Sequence, residues 1–443
     1  MKRSALLAAL TACSLFVSTS PTSSAGPVIQ PTYPKYANKV TIKWWSWTLH
    51  TETLIKAFEK QYPNIRVLHE NVGYLQTEYS KLLTVIKAGA GAPDLTQLVI
   101  DAVPQFIATG GLRDVAPLGA NRYRPYFLPW TWNQVSSGRS VYAIPEDSGP
   151  LALFYNANTF KKYGLTVPKT WNDFSTDAAK LHKVNPQLYM SFFTFNNGSW
   201  INSLLWAAGA HPYSTTGSNS WKVNLTSPVI QRVMTFWGKM ISLGYVQPAG
   251  DFSADWIKNL QSGKYASFVG AAWSTSYELG PYVKPNSGWK VAPLPQWSSN
   301  KFIDGNWGGS VNAVTMQSKH PDAALLFAAW INTHAQAIHY NVLPGNLGGR
   351  GLWPADKYAL NDPYLHRPDP ILSGQRSDDV FVAASNAVDT SFQWTPWTSY
   401  ANNEYTVEFG KAMNGQESWN QALATIQAAV TRYGETQGYT VTQ

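Results

Sequence analysis

Residues 39–47, KVTIKWWSW, begin the pattern that decides the fold. Apolar residues alternate with polar ones up to Trp45, which predicts a short strand with one buried face. A strand does not need three tryptophans in four positions. Strand alternation places Trp44 on one face, where we expect it in the core, and Trp45 and Trp47 on the other. Trp47 follows the strand directly, so it is available for a role at the edge of a sheet.

The segments that follow alternate between helix and strand. Apolar residues repeat at helical spacing over 51–63, and a second strand covers 64–70. A glycine-closed helix then covers 77–94, and a third strand covers 95–100. This alternation predicts an α/β fold with a parallel sheet and crossover helices. Further helices are predicted at 171–183, 200–208, 228–243, 321–333 and 416–433.

The composition indicates a large core and argues against nucleic-acid binding. Hydrophobic residues make up 44% of the 443-residue chain, which is long enough for two or three domains or two large lobes. Charged residues make up 14%, well below the roughly 25% of an average soluble protein. The formal charge is +8, with Lys2 and Arg3 in a leader-like segment. The remaining cations are dispersed, whereas phosphate recognition concentrates them on one surface.

The N-terminus has the pattern of a secretory signal. Two cations precede a short apolar run, and small residues near Ala25 offer a cleavage site, so we expect a signal peptide over 1–25 and a linker over 26–37. Cys13, the only cysteine, lies in LTAC, which resembles a bacterial lipobox. Lipidation at Cys13 and simple cleavage near Ala25 both stay open. Either predicts an extracytoplasmic protein, secreted, lipid-anchored to the outer face of the cell membrane, or periplasmic in a Gram-negative cell.

Motifs of catalysis and of cofactor binding are missing from the sequence. It holds no GxSxG, GK[ST], GxGxxG or HExxH pattern, so no cofactor and no metal site is expected. Glu146 and Asp147 are adjacent, whereas a glycosidase needs two carboxyl groups roughly 5–10 Å apart across a sugar. Asp101 or Glu278 could supply a distant partner, so hydrolysis stays open at this point.

Residues 141–181 carry a resemblance to a known family. The segment joins a strand ending in Pro-Glu-Asp (145–147) to Phe-Tyr-Asn (154–156), a helix ending in Gly-Leu (164–165) and Pro-Lys-Thr-Trp (168–171). This order resembles the family-1, sugar-binding group of extracellular solute-binding proteins of ABC transporters. GGLRDVAPL, WAAGA, GAAWS, NWGGSVNAV and YGETQGYTV fit in the same order, so the resemblance covers about residues 38–443.

The resemblance implies a two-lobed, type II periplasmic-binding-protein-like α/β fold with a ligand cleft between the lobes. Lobe 1 is then expected to cover 38–149 with 307–345, and lobe 2 to cover 150–306 with 346–443. The implied function is capture of a sugar or oligosaccharide by cleft closure and delivery to ABC permease subunits, by a monomer without enzymatic activity. A secreted glycoside hydrolase or another carbohydrate-active protein is the alternative.

Candidate ligand contacts come from the strand ends and from the resemblance. In open α/β sheets ligands bind beyond the carboxyl ends of the strands, and sugars offer apolar faces to aromatic rings and hydroxyls to carboxylates and amides. Asp147 could instead stabilise its turn, and Trp273 and Trp307 could instead belong to the core or to a crossover. The candidates are Trp47, Asp101, Glu146, Asp147, Asn197, Trp200, Trp273, Trp307, Gly308 and Trp394.

Overall fold

A computed structural model describes residues 29–217, 219–298 and 300–443. The expected signal segment 1–25 and Cys13 lie outside the described residues. The strands are β1 (Val40–Trp45), β2 (Ile65–Glu70), β3 (Leu95–Val99), β4 (Ser136–Ser137), β5 (Ser140–Val141), β6 (Ala143–Pro145), β7 (Leu151–Asn156), β8 (Ser191–Thr194), β9 (Tyr213–Gly217), β10 (Ser220–Val223), β11 (Val246–Ala249), β12 (Ser267–Ala271), β13 (Trp289–Pro293), β14 (Ser310–Val314), β15 (Pro368–Asp369), β16 (Gln375–Arg376) and β17 (Thr440–Thr442).

The helices occupy the predicted segments and several others. They are α1 (Glu52–Gln61), α2 (Gln76–Lys87), α3 (Val103–Ala108), α4 (Pro129–Gln134), α5 (Ala157–Tyr163), α6 (Trp171–Val184), α7 (Gly198–Ala207), α8 (Pro228–Ser242), α9 (Ala254–Gln261), α10 (Pro321–Thr333), α11 (Ala335–Val342), α12 (Asp378–Ala387), α13 (Thr398–Met413) and α14 (Trp419–Thr436). A short π-helical turn covers Thr275–Leu279. The predicted long helices are therefore confirmed within three residues at each end, except that the helix expected over 77–94 ends at Lys87.

The first lobe is built on a five-stranded sheet in the order β2-β1-β3-β14-β6. β1 pairs in parallel with β2 and with β3, as the helix–strand alternation predicts. β14 is antiparallel to both β3 and β6, so β6 points in the same direction as β1 to β3. Trp44 is fully buried in this lobe, and its Nε1 donates to Asn312 Oδ1 at 3.0 Å, which confirms its predicted place in the core.

The second lobe holds strands whose carboxyl ends share one edge. β7 is antiparallel to both β12 and β13, and β8 is parallel to β11. A parallel bridge between Tyr189 and Tyr265 aligns β8 with β12. The ends of β8, β11 and β12 therefore lie on the same side of the lobe. The two-lobed α/β architecture implied by the resemblance is the one observed.

Three chain segments lie side by side where the lobes meet. Trp307 N donates to Gly149 O at 2.9 Å, and Ser148 N donates to Trp353 O at 2.8 Å. The segment 147–150 is thus flanked by a second crossing near 306–307 and a third near 353–354, and we call these three the hinge ribbon. The residues at which one lobe ends and the other begins stay a prediction. Ile338 and Val342, which are expected in lobe 1, pack with a hydrophobic cluster whose other members lie in lobe 2.

Candidate functional site

In both lobes, strands end at the space between the two lobes. In the first lobe, Trp47, Tyr74, Asp101 and Asp147 follow the carboxyl ends of β1, β2, β3 and β6, which all point the same way. In the second lobe, Asn197, Asp251 and Trp273 follow β8, β11 and β12. The rule that ligands bind beyond strand ends therefore selects one inter-lobe cleft, with side chains from both lobes.

The wall of the first lobe is aromatic. Trp47 is half-buried, and its ring lies edge-to-face against Tyr74 with centroids 5.8 Å apart. Tyr74 is 63% exposed. Desolvation of Tyr74 by its surroundings, together with the charges of Asp251 and Asp147, raises its pKa to about 12. The Tyr74 ring is exposed to solvent, and its hydroxyl interacts electrostatically with Asp147 at the hinge and Asp251 of the second lobe. Tyr74 therefore lies at the mouth of the cleft.

Asp147 is held at the hinge with one oxygen committed to the backbone. Its Oδ1 accepts from Ser310 N at 2.5 Å, across the start of β14. Burial and the neighbouring charge of Glu146 raise the pKa of Asp147 to about 7. The turn-stabilising role is therefore present in the structure. A role in binding stays a prediction, and it would use the second carboxylate oxygen.

Glu146 points away from the cleft, into the first lobe. Its side chain is fully buried, forms an ion pair with Arg350, and accepts from Gln97 Nε2 at 2.8 Å. Arg350 also donates to Asn341 Oδ1 at 3.0 Å. Both carboxylate oxygens of Glu146 are thus occupied by protein donors. The expectation that Glu146 contacts ligand is corrected: it joins β6 to the third crossing.

Trp273 of the second lobe packs against the hinge ribbon. Its ring is half-buried, and its Nε1 donates to Trp307 O at 2.9 Å. The rings of Trp273 and Trp307 are 4.5 Å apart. Trp307 itself is only 4% exposed, so it packs at the crossover. Gly308 has φ +73°, and a Cβ there would lie 3.3 Å from Trp273 Nε1, which explains the glycine by chain geometry.

A polar group extends the second lobe's wall. Asn197 caps α7 by accepting from Trp200 N at 3.0 Å, and its Nδ2 donates to Asp251 Oδ2 at 2.9 Å. Burial raises the pKa of Asp251 to about 6. Burial also raises the pKa of Glu278, one turn beyond Trp273, and the charge of Asp251 adds to this shift. The amide oxygen and the amide nitrogen of Asn197 are therefore both bonded to protein groups, and the side chain holds the carboxylate of Asp251 in place.

Asp101 closes the cleft from the first lobe. Its Oδ2 accepts a hydrogen bond from Ser199 Oγ, at the start of α7 in the second lobe. Burial raises the pKa of Asp101, while this hydrogen bond partly offsets the effect. The expected acid after β3 thus bridges the two lobes, and its role in ligand binding stays a prediction.

Trp200 and Trp394 lie in the cores. Trp200 is fully buried, and its Nε1 donates to Val269 O at 3.1 Å. Trp394 is 4% exposed and packs on Phe392, with ring centroids 4.9 Å apart. Neither ring reaches the cleft in this structure, so the expectation of direct ligand contact in the cleft is corrected for both.

Tyr74, Asp251, Tyr277 and Ser199 belong to the cleft, although sequence reasoning did not select them. Tyr277 is 40% exposed and donates from its hydroxyl to Arg350 O at 2.6 Å. Tyr74 and Asp251 come two to four residues after the ends of β2 and β11. Applying the strand-end rule to every strand, rather than to the ones most easily recognised, would have found both.

Backbone strain is concentrated at the same place. Among the residues that the structure describes, five non-glycine residues have positive φ, and three of these lie beside the cleft: His50 (φ 58°), Leu75 (φ 45°) and Phe252 (φ 52°). They follow Trp47 within three residues, Tyr74 directly and Asp251 directly. Such conformations cost about 1–3 kcal/mol each and gather at functional sites, which supports the assignment of the cleft.

Two further features bear on metal binding and on membrane insertion. In the ranges 29–217, 219–298 and 300–443, no three metal-ligating side chains come together. Within the same ranges, no helix is both long and apolar enough to cross a membrane.

Comparison with known proteins agrees with this geometry. The family model described as "Bacterial extracellular solute-binding protein" matches residues 48–338. The arabinooligosaccharide-binding protein of Bacillus subtilis is 24% identical over 62% of this chain, an alignment that spans 64% of that relative's length.

Solved structures extend the likeness to nearly the whole chain. The ABC transporter-associated binding protein of B. animalis subsp. lactis, solved with β-1,6-galactobiose, is 28% identical, covers 92% of this chain and 100% of its own, and has a TM-score of 0.77. The galacto-N-biose/lacto-N-biose I-binding protein of Bifidobacterium longum, at 23% identity and the same coverage, has a TM-score of 0.79 and shows the fold. The chain belongs to the bacterial extracellular solute-binding protein family.

Proposed function

We propose that the protein is the extracytoplasmic substrate-binding component of an ABC importer, that it captures a neutral sugar or oligosaccharide in the inter-lobe cleft, and that it delivers the sugar to membrane permease subunits. The observation that carries this proposal is the composition of the cleft. Trp47 and Tyr74 face it from one lobe, Trp273 faces it from the other, and Asp147 and Asp251 lie between them. Aromatic faces suit sugar C–H surfaces, and carboxylates suit hydroxyls.

The relatives support the class of ligand. The relative from B. subtilis is named for arabino-oligosaccharides, and the structure at 28% identity holds β-1,6-galactobiose. The Asp101–Ser199 hydrogen bond joins the lobes beside the cleft. A bound sugar that contacts both walls would add contacts of this kind and favour the closed form over an open one. The expected form is a monomer, exported by its leader and either free or lipid-anchored through Cys13.

The test is a tryptophan-fluorescence titration against mono- and oligosaccharides, with a polyamine and a short peptide as controls. We expect a saturable response to at least one saccharide. A response only to the polyamine or the peptide would contradict the carbohydrate assignment. The same sample, incubated with its bound saccharide and analysed by chromatography, should yield no shortened products. Shortened products would favour the hydrolase alternative.

A further inference from the structure

A second groove lies between the lobes, beyond the cleft. Two cavities of about 250 and 320 Å³ share Ala108, Pro396 and Tyr439 in their walls. We call them together the far groove. Its main lining side chains are Gln105, Ser399, Tyr400, Tyr433, Tyr439 and Trp394. One wall is α3 of the first lobe. The other wall is formed by residues 396–400, which lead into α13, and by residues 433–439, at the end of α14 and just beyond it.

The far groove adjoins the cleft through a pair of polar contacts. Asp101 bonds Ser199 across the lobes, and four residues later Gln105 Oε1 accepts from Ser399 Oγ at 3.0 Å. Gln105 and Ser399 both line the far groove. The far groove therefore starts one helical turn from a cleft acid.

The lining of the far groove has the chemistry of a neutral polyol site. Of the described residues that line the two cavities, none is Asp, Glu, Lys or Arg. Tyr400 and Tyr433 stack with centroids 4.0 Å apart, and amides and hydroxyls such as Gln105 and Gln437 stand at the margins. Glu404 and Arg432 interact with Tyr400 from outside this lining, and their charges are of opposite sign. The lining itself offers a sugar the outer face of the stacked tyrosine pair and uncharged hydrogen-bonding groups.

Two indole donors in this lining have no acceptor. The Nε1 atoms of Trp394 and Trp397 are buried, and neither has a hydrogen-bond partner in the described part of the chain. Each residue is 4% exposed and lines one of the two cavities. A buried unpaired donor costs about 1–3 kcal/mol. A ligand rich in hydroxyl oxygens that enters the far groove would offer these donors acceptors.

We propose that the far groove binds the outer sugar units of a neutral oligosaccharide whose first units occupy the cleft, an inference that rests on the proposed function. Because the walls come from different lobes, outer units would contact both walls only in the closed form. Longer chains therefore favour closure more strongly than a disaccharide does. Trp394, which lies outside the cleft, is part of the lining of the far groove.

The experiment measures affinity as a function of chain length. Isothermal titration of the full mature protein uses ladders of two to six units: β-1,6-galacto-, α-1,5-arabino-, α-1,4-gluco- and β-1,4-xylo-oligosaccharides. In the ladder that binds best, we expect affinity to rise by about tenfold or more beyond the disaccharide. Tyr400→Ala should abolish that gain and leave the disaccharide affinity within about twofold. Tyr400→Phe, which keeps the ring, should retain the gain.

Tyr245→Ala is the matched control, because Tyr245 is a half-buried tyrosine of the second lobe that packs on His182 outside the far groove. It should not change the length dependence. A disaccharide that binds with no gain for longer chains, or a gain that survives in Tyr400→Ala, would overturn the far-groove proposal alone. Binding of a monosaccharide with failure of every ladder would also overturn the far-groove proposal alone. Failure of every ladder and of every monosaccharide in the fluorescence titration would overturn the proposed function, and with it this inference.

Discussion

Replacement of Glu146 by Gln is expected to destabilise the protein rather than to weaken ligand binding directly. Glu146 and Arg350 are both fully buried as side chains, and the change leaves the Arg350 charge without its partner. Removing one member of a buried ion pair costs about 3–5 kcal/mol. For a lobe of roughly 150–250 residues, each kcal/mol lowers the melting temperature by about 2–4 °C, so a fall of about 6–20 °C is expected. Calorimetry measures it.

Two further variants separate pairing from a general effect of substitution. Glu435→Gln removes a carboxylate from the exposed end of α14, and its effect should stay within about 0.5 kcal/mol. The double variant Glu146→Leu, Arg350→Met should be less destabilised than either single variant, because an apolar pair leaves no buried charge behind. If Glu146→Gln instead keeps the melting temperature and lowers saccharide affinity tenfold, the assignment of Glu146 to the interior is refuted.

Three other substitutions test the cleft. Trp273→Ala should weaken saccharide binding at least about tenfold in titration and remain folded by circular dichroism. Trp419→Ala, which changes another half-buried tryptophan, should leave affinity unchanged. Unfolding of the Trp273 variant would assign that ring to the core. Burial and the neighbouring charge of Glu146 raise the pKa of Asp147 to about 7, and an ionised carboxylate accepts sugar hydroxyls better, so affinity should fall from pH 8 to pH 5. Asp147→Asn should move this fall to lower pH, where Asp251 titrates because burial raises its pKa to about 6; an unchanged profile would contradict the contact. Trp200→Ala should cost about 3–5 kcal/mol in denaturant unfolding, and a variant that is equally stable but does not bind would return Trp200 to the cleft.

The sequence predicted the first sheet and the long helices because their apolar periodicity is local. It did not predict the direction of β14, because an antiparallel strand entering from a distant segment leaves no local signal. The strand-end rule led to Trp47 and Asp101, and it would have reached Tyr74 and Asp251 if applied to every strand. The leader and Cys13 stay predictions from sequence.

Two failures have specific physical causes. Glu146 and Asp147 are adjacent, and nothing local shows that the partner of Glu146 is an arginine 204 residues away. Trp200 lies on α7, where every residue from Gly198 to Ala207 except Ser199 is buried. A helix that is buried on all sides has no polar face, so its pattern cannot show which ring faces a ligand.

The hinge ribbon connects the candidate stacking platform to the crossing segments. A Cβ at Gly149 would lie 1.9 Å from Trp307 O and 2.8 Å from Trp273 Nε1, so the first crossing, the second crossing and Trp273 are packed at backbone contact. Tyr277, one turn after Trp273, bonds the third crossing at Arg350 O. A sugar resting on Trp273 would therefore press on a side chain in contact with the crossings. Because packed contacts of this kind are bistable rather than elastic, ligand binding at Trp273 and a change of lobe angle are expected to occur together.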